Sequence, residues 1–238
     1  MLIDIHTHVE YKEKYDIENV MNDMKIHGLD KRVISSINGA PIHENNIAID
    51  KLVNRYPDKL IGCAVINPKL TSSIEDTEHA LNLKNIKMFE FNPYEHGYFP
   101  DLEENLNIIL DKINLKGFPV KIFTGISSYG IPQQWEKYIE KYKNIKFIFL
   151  HMGCFDYGYS CVDVVARHDN AYTEISNQYE LQILRKAIDN IDNEKILFGT
   201  TFPERLTSSS LKVLDTLNII EEEKKNIYYK NAEKILEE

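Results

Sequence analysis

The chain has 238 residues, of which 43% are hydrophobic and 27% are charged, a composition that is ordinary for a soluble globular protein. Its formal net charge of -9 disfavours nucleic acid or an anionic membrane surface as a partner, because both attract basic patches. No apolar run approaches the roughly 20 residues that a membrane span needs, and the first residues lack the features of a signal peptide. We therefore predict a cytoplasmic protein whose partner is a small molecule.

Short runs of β-branched and aromatic residues recur along the chain, and each run ends near a polar or glycine-containing loop. Between them lie segments with the periodicity of amphipathic helices, such as the one from Ile17 to Met24 that precedes Gly28. A strand followed by a helix, repeated at intervals of roughly 25 to 33 residues, is typical of a (β/α)8 barrel. The predicted strands cover residues 2–8, 31–37, 60–66, 85–91, 118–124, 145–151, 170–176 and 195–201.

The periodicity predicts one α/β domain over residues 1–238, a (β/α)8 TIM barrel with an additional C-terminal helix over residues 221–238. We expect that helix to pack against the outside of the barrel. A doubly wound open sheet is the alternative fold, but it needs a glycine-rich turn after the first strand, and none follows His8. A homodimer is the common state of such proteins, and we keep it as an expectation.

Histidines end two of the predicted strands. His6 and His8 end the first, and the alternation of a strand places both imidazoles on one face together with Asp4. His151 ends the sixth strand. The active site of a (β/α)8 barrel lies at these strand ends, so the three histidines are candidate ligands of one divalent metal, with zinc as the first choice. The alternative is a set of histidines that only form hydrogen bonds.

Three motifs carry a resemblance to a known family: Asp-Ile-His-Thr-His at residues 4–8, the segment 146–153 with His151, and Phe-Gly-Thr-Thr-Phe-Pro at residues 198–203. They resemble the amidohydrolase superfamily, and most closely its amidohydrolase-2 branch, which includes aminocarboxymuconate-semialdehyde decarboxylase. The resemblance spans nearly the whole chain. It implies a metal-dependent hydrolase or decarboxylase that acts on a small, carboxylate-bearing molecule, with His6 and His8 on the metal and His151 in catalysis.

Two positions depart from the pattern of that branch. Its members bind the metal with a histidine at the end of the fifth strand and an aspartate at the end of the eighth, where this chain has Phe123 and Thr201. Phenylalanine offers no lone pair, and a neutral hydroxyl is a poor ligand. Using His151 as a ligand would restore the three protein ligands of a catalytic zinc site. The second hypothesis is a metal-free barrel that keeps a small-molecule binding or regulatory role.

Further charged residues are candidates for completing the site. Glu174, at the end of the seventh predicted strand, is the candidate proton acceptor in place of the lost aspartate, unless it forms a structural ion pair. Lys87 and Arg205 are candidates for binding a substrate carboxylate, and the alternative for each is an ion pair with a nearby acid. Strand alternation argues against Glu90, because it faces the helices if Lys87 points into the barrel.

Overall fold

Parallel strands form the centre of the molecule, which is described here by a computed structural model over residues 1–10, 16–38 and 40–237. Within these ranges the sheet has eight strands in the order β1 to β8, each hydrogen-bonded to the next along the chain. This arrangement confirms the predicted (β/α)8 barrel. The strands are β1 (Ile3–His8), β2 (Lys31–Ser35), β3 (Leu60–Val65), β4 (Ile86–Phe91), β5 (Val120–Ile122), β6 (Phe147–Phe149), β7 (Ala171–Glu174) and β8 (Ile196–Leu197).

The ring closes between β1 and the segment that follows β8. The Ile5 N–H donates to the carbonyl oxygen of Phe198 at 3.0 Å, and the Thr201 N–H donates to the carbonyl oxygen of His6 at 2.8 Å. Although β8 is regular over two residues only, these bonds continue its pairing with β1 as far as the active end of the barrel. The last predicted strand is therefore shorter than expected, but it occupies the expected place.

Helices alternate with the strands and cover the outside of the barrel, where Phe89 and Phe91 of β4 share a core with helical residues such as Leu106. In the described ranges, no helix is long and apolar enough to cross a membrane. The helices are α1 (Ile17–His27), α2 (Ile42–Arg55), α3 (Ser73–Asn82), α4 (Pro93–His96), α5 (Asn105–Lys116), α6 (Glu136–Lys141), α7 (Gly158–Arg167), α8 (Leu181–Asn190), α9 (Thr207–Asp215), α10 (Glu221–Lys225) and α11 (Asn231–Glu237).

The additional C-terminal helix forms, and Ile227 in its first half packs in the core between sheet and outer helices as predicted, whereas its last turns pack elsewhere. A π-helical turn (Asn226–Lys230) joins α10 to α11, so the helical run is continuous up to residue 237. Ala232 and Ile235 of α11 pack against Ile3, the first residue of β1, and against Val33 of β2. The helix thus covers the amino-terminal end of the barrel interior, opposite the end that carries the histidines. Residue 238 of the predicted helix lies outside the described residues.

A β-bulge in β1 determines which way its side chains point. The register with β2 shifts between Asp4 and Thr7. Within the shifted segment, Ile5 packs in the core inside the barrel and His6 lines a cavity at the barrel mouth, which His8 also lines. The bulge therefore directs two consecutive side chains, Ile5 and His6, to the same face, as bulges beside active sites commonly do. The expectation that Asp4 shares a face with both histidines is wrong for this reason.

Asp4 instead anchors β1 to the surrounding helices through a buried ion network. Its Oδ2 accepts a hydrogen bond from the Arg32 Nε at 3.0 Å, and the Arg32 Nη2 donates to Asp23 Oδ2 at 2.6 Å. The Thr207 hydroxyl donates to the same Asp23 oxygen, and the Thr200 N–H donates to Asp4 Oδ1 at 3.1 Å. The network joins β1, β2, α1, α9 and the segment after β8. Removing one member would leave a buried charge unpaired, at a cost of about 3–5 kcal/mol.

Candidate active site

A cavity of about 300 Å³ opens where the strands end. Its lining includes the histidines that end β1 and follow β6, the acid of β4, the aromatic residue after β5 and the charged pair that follows β8. In (β/α)8 barrels this face carries the catalytic groups, because the loops that follow the strands converge there. The lining residues used below are His6, His8, Glu90, Tyr94, Phe123, Leu150, His151, Thr201, Glu204 and Arg205.

Three of these side chains form a group with the geometry of a metal site. His6, His8 and Glu90 each offer one ligand atom, and these atoms lie within 4.8 Å of one another. Within this group, His8 Nε2 and Glu90 Oε1 are 3.2 Å apart. Neighbouring ligand atoms of a tetrahedral zinc site are about 3.3 Å apart, given bonds of about 2.0–2.1 Å, and two imidazoles with one carboxylate are a known catalytic donor set. The residues therefore fit a divalent metal.

Glu90 is the ligand candidate that strand alternation misassigned. Phe89 and Phe91 pack in the core between sheet and helices, so Glu90 between them faces the interior, where it is fully buried. Lys87, two residues before Phe89, is exposed and does not line the cavity. The prediction that Lys87 points into the barrel is wrong. A better sequence signal was available, because two phenylalanines flanking one acid suit a strand whose apolar face meets the helices.

The carboxylate of Glu90 is held from two sides by buried donors. The Ser35 hydroxyl donates to Oε2 at 2.6 Å, and the Lys121 ammonium lies 3.0 Å from the same oxygen. The Lys121 Nζ also lies 3.3 Å from His6 Nδ1. Burial raises the pKa of Glu90, but Lys121 and His8 outweigh burial and hold this pKa well below its usual range. Burial and Lys121 both lower the pKa of His6, so the site contains an ionised Glu90 and a neutral His6.

A second carboxylate holds the other imidazole of β1. Glu204 Oε1 lies 2.9 Å from His8 Nδ1. Burial alone would lower the pKa of His8, but the Glu90 charge and the hydrogen bonds to Glu204 and Glu90 raise it to about 10. A carboxylate behind one ring nitrogen is the usual device that orients a metal-binding histidine. Sequence reasoning missed Glu204 as a partner of His8, and no local pattern points to it, because 196 positions separate the two residues.

His151 lies in a network of hydroxyl groups beside His6, with the two ring centroids 5.2 Å apart. Its Nδ1 is 2.9 Å from the Ser176 hydroxyl oxygen, which also accepts a hydrogen bond from the Thr201 hydroxyl at 2.7 Å. The Ser176 hydroxyl donates to Glu174 Oε1 at 2.7 Å, and the His151 N–H donates to the same oxygen at 2.6 Å. We call His151, Glu174, Ser176 and Thr201 the hydroxyl network.

The position of Glu174 differs from the one that a proton acceptor for water would need. It is fully buried, its oxygens accept hydrogen bonds from His151 and Ser176, and it does not line the cavity. Burial raises its pKa to about 7, against the opposing effect of the Ser176 hydrogen bonds. The structure thus places Glu174 behind His151, as a group that positions the histidine.

His151 lines the cavity but lies outside the group of close ligand atoms. Its ring centroid is 5.2 Å from that of His6, and the close group found among the described residues contains His6, His8 and Glu90. Burial lowers the pKa of His151 to about 4, so its imidazole is neutral near pH 7. Glu90 therefore occupies the place in the ligand set that the sequence prediction gave to His151.

An aromatic wall stands where the family pattern has a metal ligand. Phe123 stacks on Tyr94 with ring centroids 5.4 Å apart, and it meets His151 edge-on at 5.5 Å. Arg205 lies at the mouth, where its Nε donates to Asn177 Oδ1 at 3.0 Å and its guanidinium remains exposed. The cavity thus combines a flat apolar wall with an exposed cation, and Arg205 is where the sequence prediction expected a substrate contact.

Solved structures with the same architecture cover this chain from end to end. Two of them are a 5-carboxyvanillate decarboxylase from Sphingomonas paucimobilis (13% identity, TM-score 0.79, 99% of this chain and 98% of that chain) and a probable 2-pyrone-4,6-dicarboxylic acid hydrolase from Acinetobacter baumannii with citric acid bound (16% identity, TM-score 0.75, 100% and 99%). A third is a dihydroxybenzoic acid decarboxylase from Polaromonas with bound manganese and the inhibitor 2-nitroresorcinol (16% identity, TM-score 0.75, 99% and 96%).

At sequence identities of 13% and 16%, the similarity to these structures shows a shared fold. No curated protein sequence is similar enough to count as a match. The family comparison is more specific, because the profile described as "Amidohydrolase" matches residues 3–237. That match covers nearly the whole chain, including the strand ends that carry His6, His8 and Glu90, and the chain belongs to the amidohydrolase-2 family.

Proposed function

We propose that this protein is a metal-dependent enzyme that decarboxylates a small, planar carboxylic acid. The observation that carries the proposal is the convergence of His6, His8 and Glu90 within 4.8 Å, beneath a cavity with an aromatic wall. Membership of the amidohydrolase-2 family supports metal dependence. The proposed reaction and substrate class are argued from the chemistry of the cavity.

The proposed metal ligands are His6, His8 and Glu90, and the proposed metal is zinc, which two imidazoles and a carboxylate commonly bind. Manganese, as in the Polaromonas structure, is the alternative. When bound, the metal supplies a Lewis acid that binds and neutralises the substrate's oxygen atoms. Glu204 holds His8 Nδ1 and so orients the opposite ring nitrogen towards Glu90.

Size, shape and charge of the cavity support a planar acid as substrate. A volume of about 300 Å³ suits a small molecule, at the lower end of the range for ligand sites. Tyr94 and Phe123 present a flat apolar surface on which a ring can stack, and the exposed guanidinium of Arg205 suits a carboxylate. The named substrates of the Sphingomonas and Acinetobacter neighbours are likewise ring-shaped acids.

Phe123 and Thr201, which stand in place of two of the family's usual metal ligands, favour decarboxylation over hydrolysis. Hydrolysis requires a group that takes a proton from water, and the Thr201 hydroxyl cannot do so near neutral pH. Phe123 and Leu150 make this side of the cavity apolar, and an apolar environment destabilises an ionised carboxylate relative to released carbon dioxide. His151, with its Nδ1–H donating to Ser176, has a lone pair on its other ring nitrogen; it would take a proton there from a hydroxyl group of the substrate and deliver it to the ring carbon that loses carbon dioxide.

Hydrolysis of an ester or lactone is a second candidate, and one observation favours it. The chain of hydrogen bonds from Glu174 through Ser176 to His151 would support His151 as a proton acceptor. In that reaction His151 takes over the task of the missing aspartate.

The test is a substrate screen with the purified chain loaded with zinc or manganese. Hydroxybenzoic, methoxybenzoic and pyrone carboxylic acids are assayed for release of carbon dioxide and for loss of the ring's ultraviolet absorbance. We expect metal-dependent carbon dioxide release that disappears when His6 and His8 are both changed to alanine. Arg205→Gln should raise KM about tenfold, because it removes the cation that pairs with the substrate's carboxylate.

The control variant is Glu140→Gln, which changes an exposed acid on α6 outside the lining of this cavity and should leave turnover unchanged. Product acid formed without carbon dioxide would replace the proposed reaction with hydrolysis. Binding of these acids without metal and without turnover would overturn the proposal in favour of the metal-free binding barrel.

A further inference from the structure

A buried lysine lies directly beside the proposed metal site. Lys121 on β5 is opposite Glu90 in the register of β4 and β5, and its side chain is fully buried. Its Nζ lies 3.0 Å from Glu90 Oε2 and 3.3 Å from His6 Nδ1. Two of the three proposed ligands therefore touch a fixed ammonium group. Lys121 is fully buried and does not line the cavity, and its side chain contacts Glu90 and His6.

Both carboxylates near the site already have a nitrogen partner in this structure. Glu90 Oε2 lies 3.0 Å from Lys121 Nζ, and Glu204 Oε1 lies 2.9 Å from His8 Nδ1. A site built only for a divalent cation would gain affinity from an excess of carboxylate charge. Here a metal that binds at Glu90 meets a positive charge already in place, and like charges a few ångströms apart in a buried site repel strongly.

The hydrogen-bonding chemistry of Lys121 also decides the tautomer of His6. An ammonium group is a donor only, so at 3.3 Å the His6 Nδ1 is the acceptor. A neutral imidazole that accepts at Nδ1 carries its hydrogen on Nε2, and that nitrogen then has no free lone pair. For His6 to bind a metal, its Nδ1 must leave Lys121 or the ring hydrogen must move from Nε2 to Nδ1.

We propose that Lys121 is a resident cation of the site, which competes with the divalent metal for Glu90 and His6 and makes metal binding weak and reversible. The inference rests on the proposed function, in which these residues hold the metal. Without metal, Lys121 keeps the buried carboxylate of Glu90 paired and the site assembled. With metal, the ammonium must give up part of its contact with both partners.

The first test measures metal affinity on the full-length chain after chelator treatment. Zinc and manganese are titrated against a competing chelator for the wild type, Lys121→Met and Lys121→Gln, with Lys87→Met as the matched control on an exposed face of the neighbouring strand. We expect at least tenfold tighter metal binding in both Lys121 variants and less than a twofold change in the control. Equal or weaker binding in a folded Lys121 variant overturns the inference.

The second test needs no variant at Lys121 and so does not depend on whether such variants fold. Nitrogen-15 NMR of histidine-labelled wild type, with His6 assigned from the signal lost in His6→Gln, reports which ring nitrogen carries the hydrogen. Metal-stripped protein should show His6 with hydrogen on Nε2, and added zinc should either move that hydrogen to Nδ1 or shift the Nδ1 signal by direct binding. A hydrogen on Nδ1 before metal is added overturns the inference.

The outcomes separate this inference from the proposed function. Wild type that binds zinc or manganese as tightly as Lys121→Met, and still turns over substrate, overturns the inference alone. If neither the wild type nor any folded Lys121 variant binds either metal at millimolar concentration, the assignment of the metal to His6, His8 and Glu90 falls, and the inference falls with it.

Discussion

The two sides of the barrel mouth bury polar residues in different ways. On one side His6, His8, Glu90, Lys121 and Glu204 form a cluster of paired charges, which we call the charged side. On the other side the hydroxyl network joins a neutral imidazole to a buried acid through serine and threonine. Thr201 belongs to the network and Phe123 touches it, so both positions that lost a family ligand lie on that side. The proposed metal ligands therefore all lie on the charged side.

The two sides also differ in backbone conformation. In the hydroxyl network His151 and Thr201 have φ values of 62° and 55°, in the left-handed region that costs non-glycine residues about 1–3 kcal/mol each. The hydrogen bond from the His151 N–H to Glu174 helps to hold this conformation. The charged side obtains its geometry from the bulge in β1 and from paired charges. One side is thus organised by paired charges, and the other by backbone strain and hydrogen bonds between neutral groups.

The largest effect is expected from removing a charge on the charged side. Glu90→Gln removes the carboxylate that pairs with Lys121 and leaves a buried ammonium without a charged partner, so we expect a loss of about 3–5 kcal/mol in the free energy of unfolding. Zinc affinity should fall at least a hundredfold. Urea unfolding and metal titration measure the two effects, with Glu140→Gln as the control. A stability within about 1 kcal/mol of wild type would show that the charge pair is not essential.

The second effect is a dependence of the free energy of unfolding on pH that comes from the hydroxyl network. Burial raises the pKa of Glu174 from 4.5 to about 7, so the folded state holds a proton that the unfolded chain releases between these values. The stability that this proton contributes is fully present below pH 4.5 and is lost as the pH rises through 7. The free energy of unfolding should fall by about 3 kcal/mol over this range. Urea unfolding between pH 4.5 and 8 should show this loss in wild type and not in Glu174→Gln. Parallel curves would contradict it.

The smallest effect tests the hydrogen bonds within the hydroxyl network. Ser176 contacts Glu174, His151 and Thr201, whereas the Thr201 hydroxyl donates to Ser176. Ser176→Ala should therefore cost about 1–3 kcal/mol, and Thr201→Val about 1 kcal/mol. Thermal and urea unfolding of both variants measure the difference, and a larger loss in Thr201→Val would reverse the assigned order.

Local patterns in the chain were sufficient for the architecture and for part of the site. The alternation of strand and helix periodicity predicted the barrel, because each pattern reflects which face of a nearby element is buried. His6, His8 and His151 were found as cavity residues because they follow strands, and strand ends meet at one face of the barrel. Arg205 follows the same rule. These features depend on residues that are close together in the chain.

The ligand set depended on contacts between residues far apart in the chain. Glu90 was excluded because strand alternation was counted from Lys87, which was assumed to point into the barrel. Asp4 was placed beside the histidines because regular alternation of side chains does not predict a β-bulge. The pairing of His8 with Glu204 spans 196 positions, and that of Lys121 with His6 spans 115. The sequence by itself determined the fold, the family and three histidines at the mouth. Only the tertiary structure decided which acid faces them and which cation lies beneath, because register and barrel closure bring those groups together.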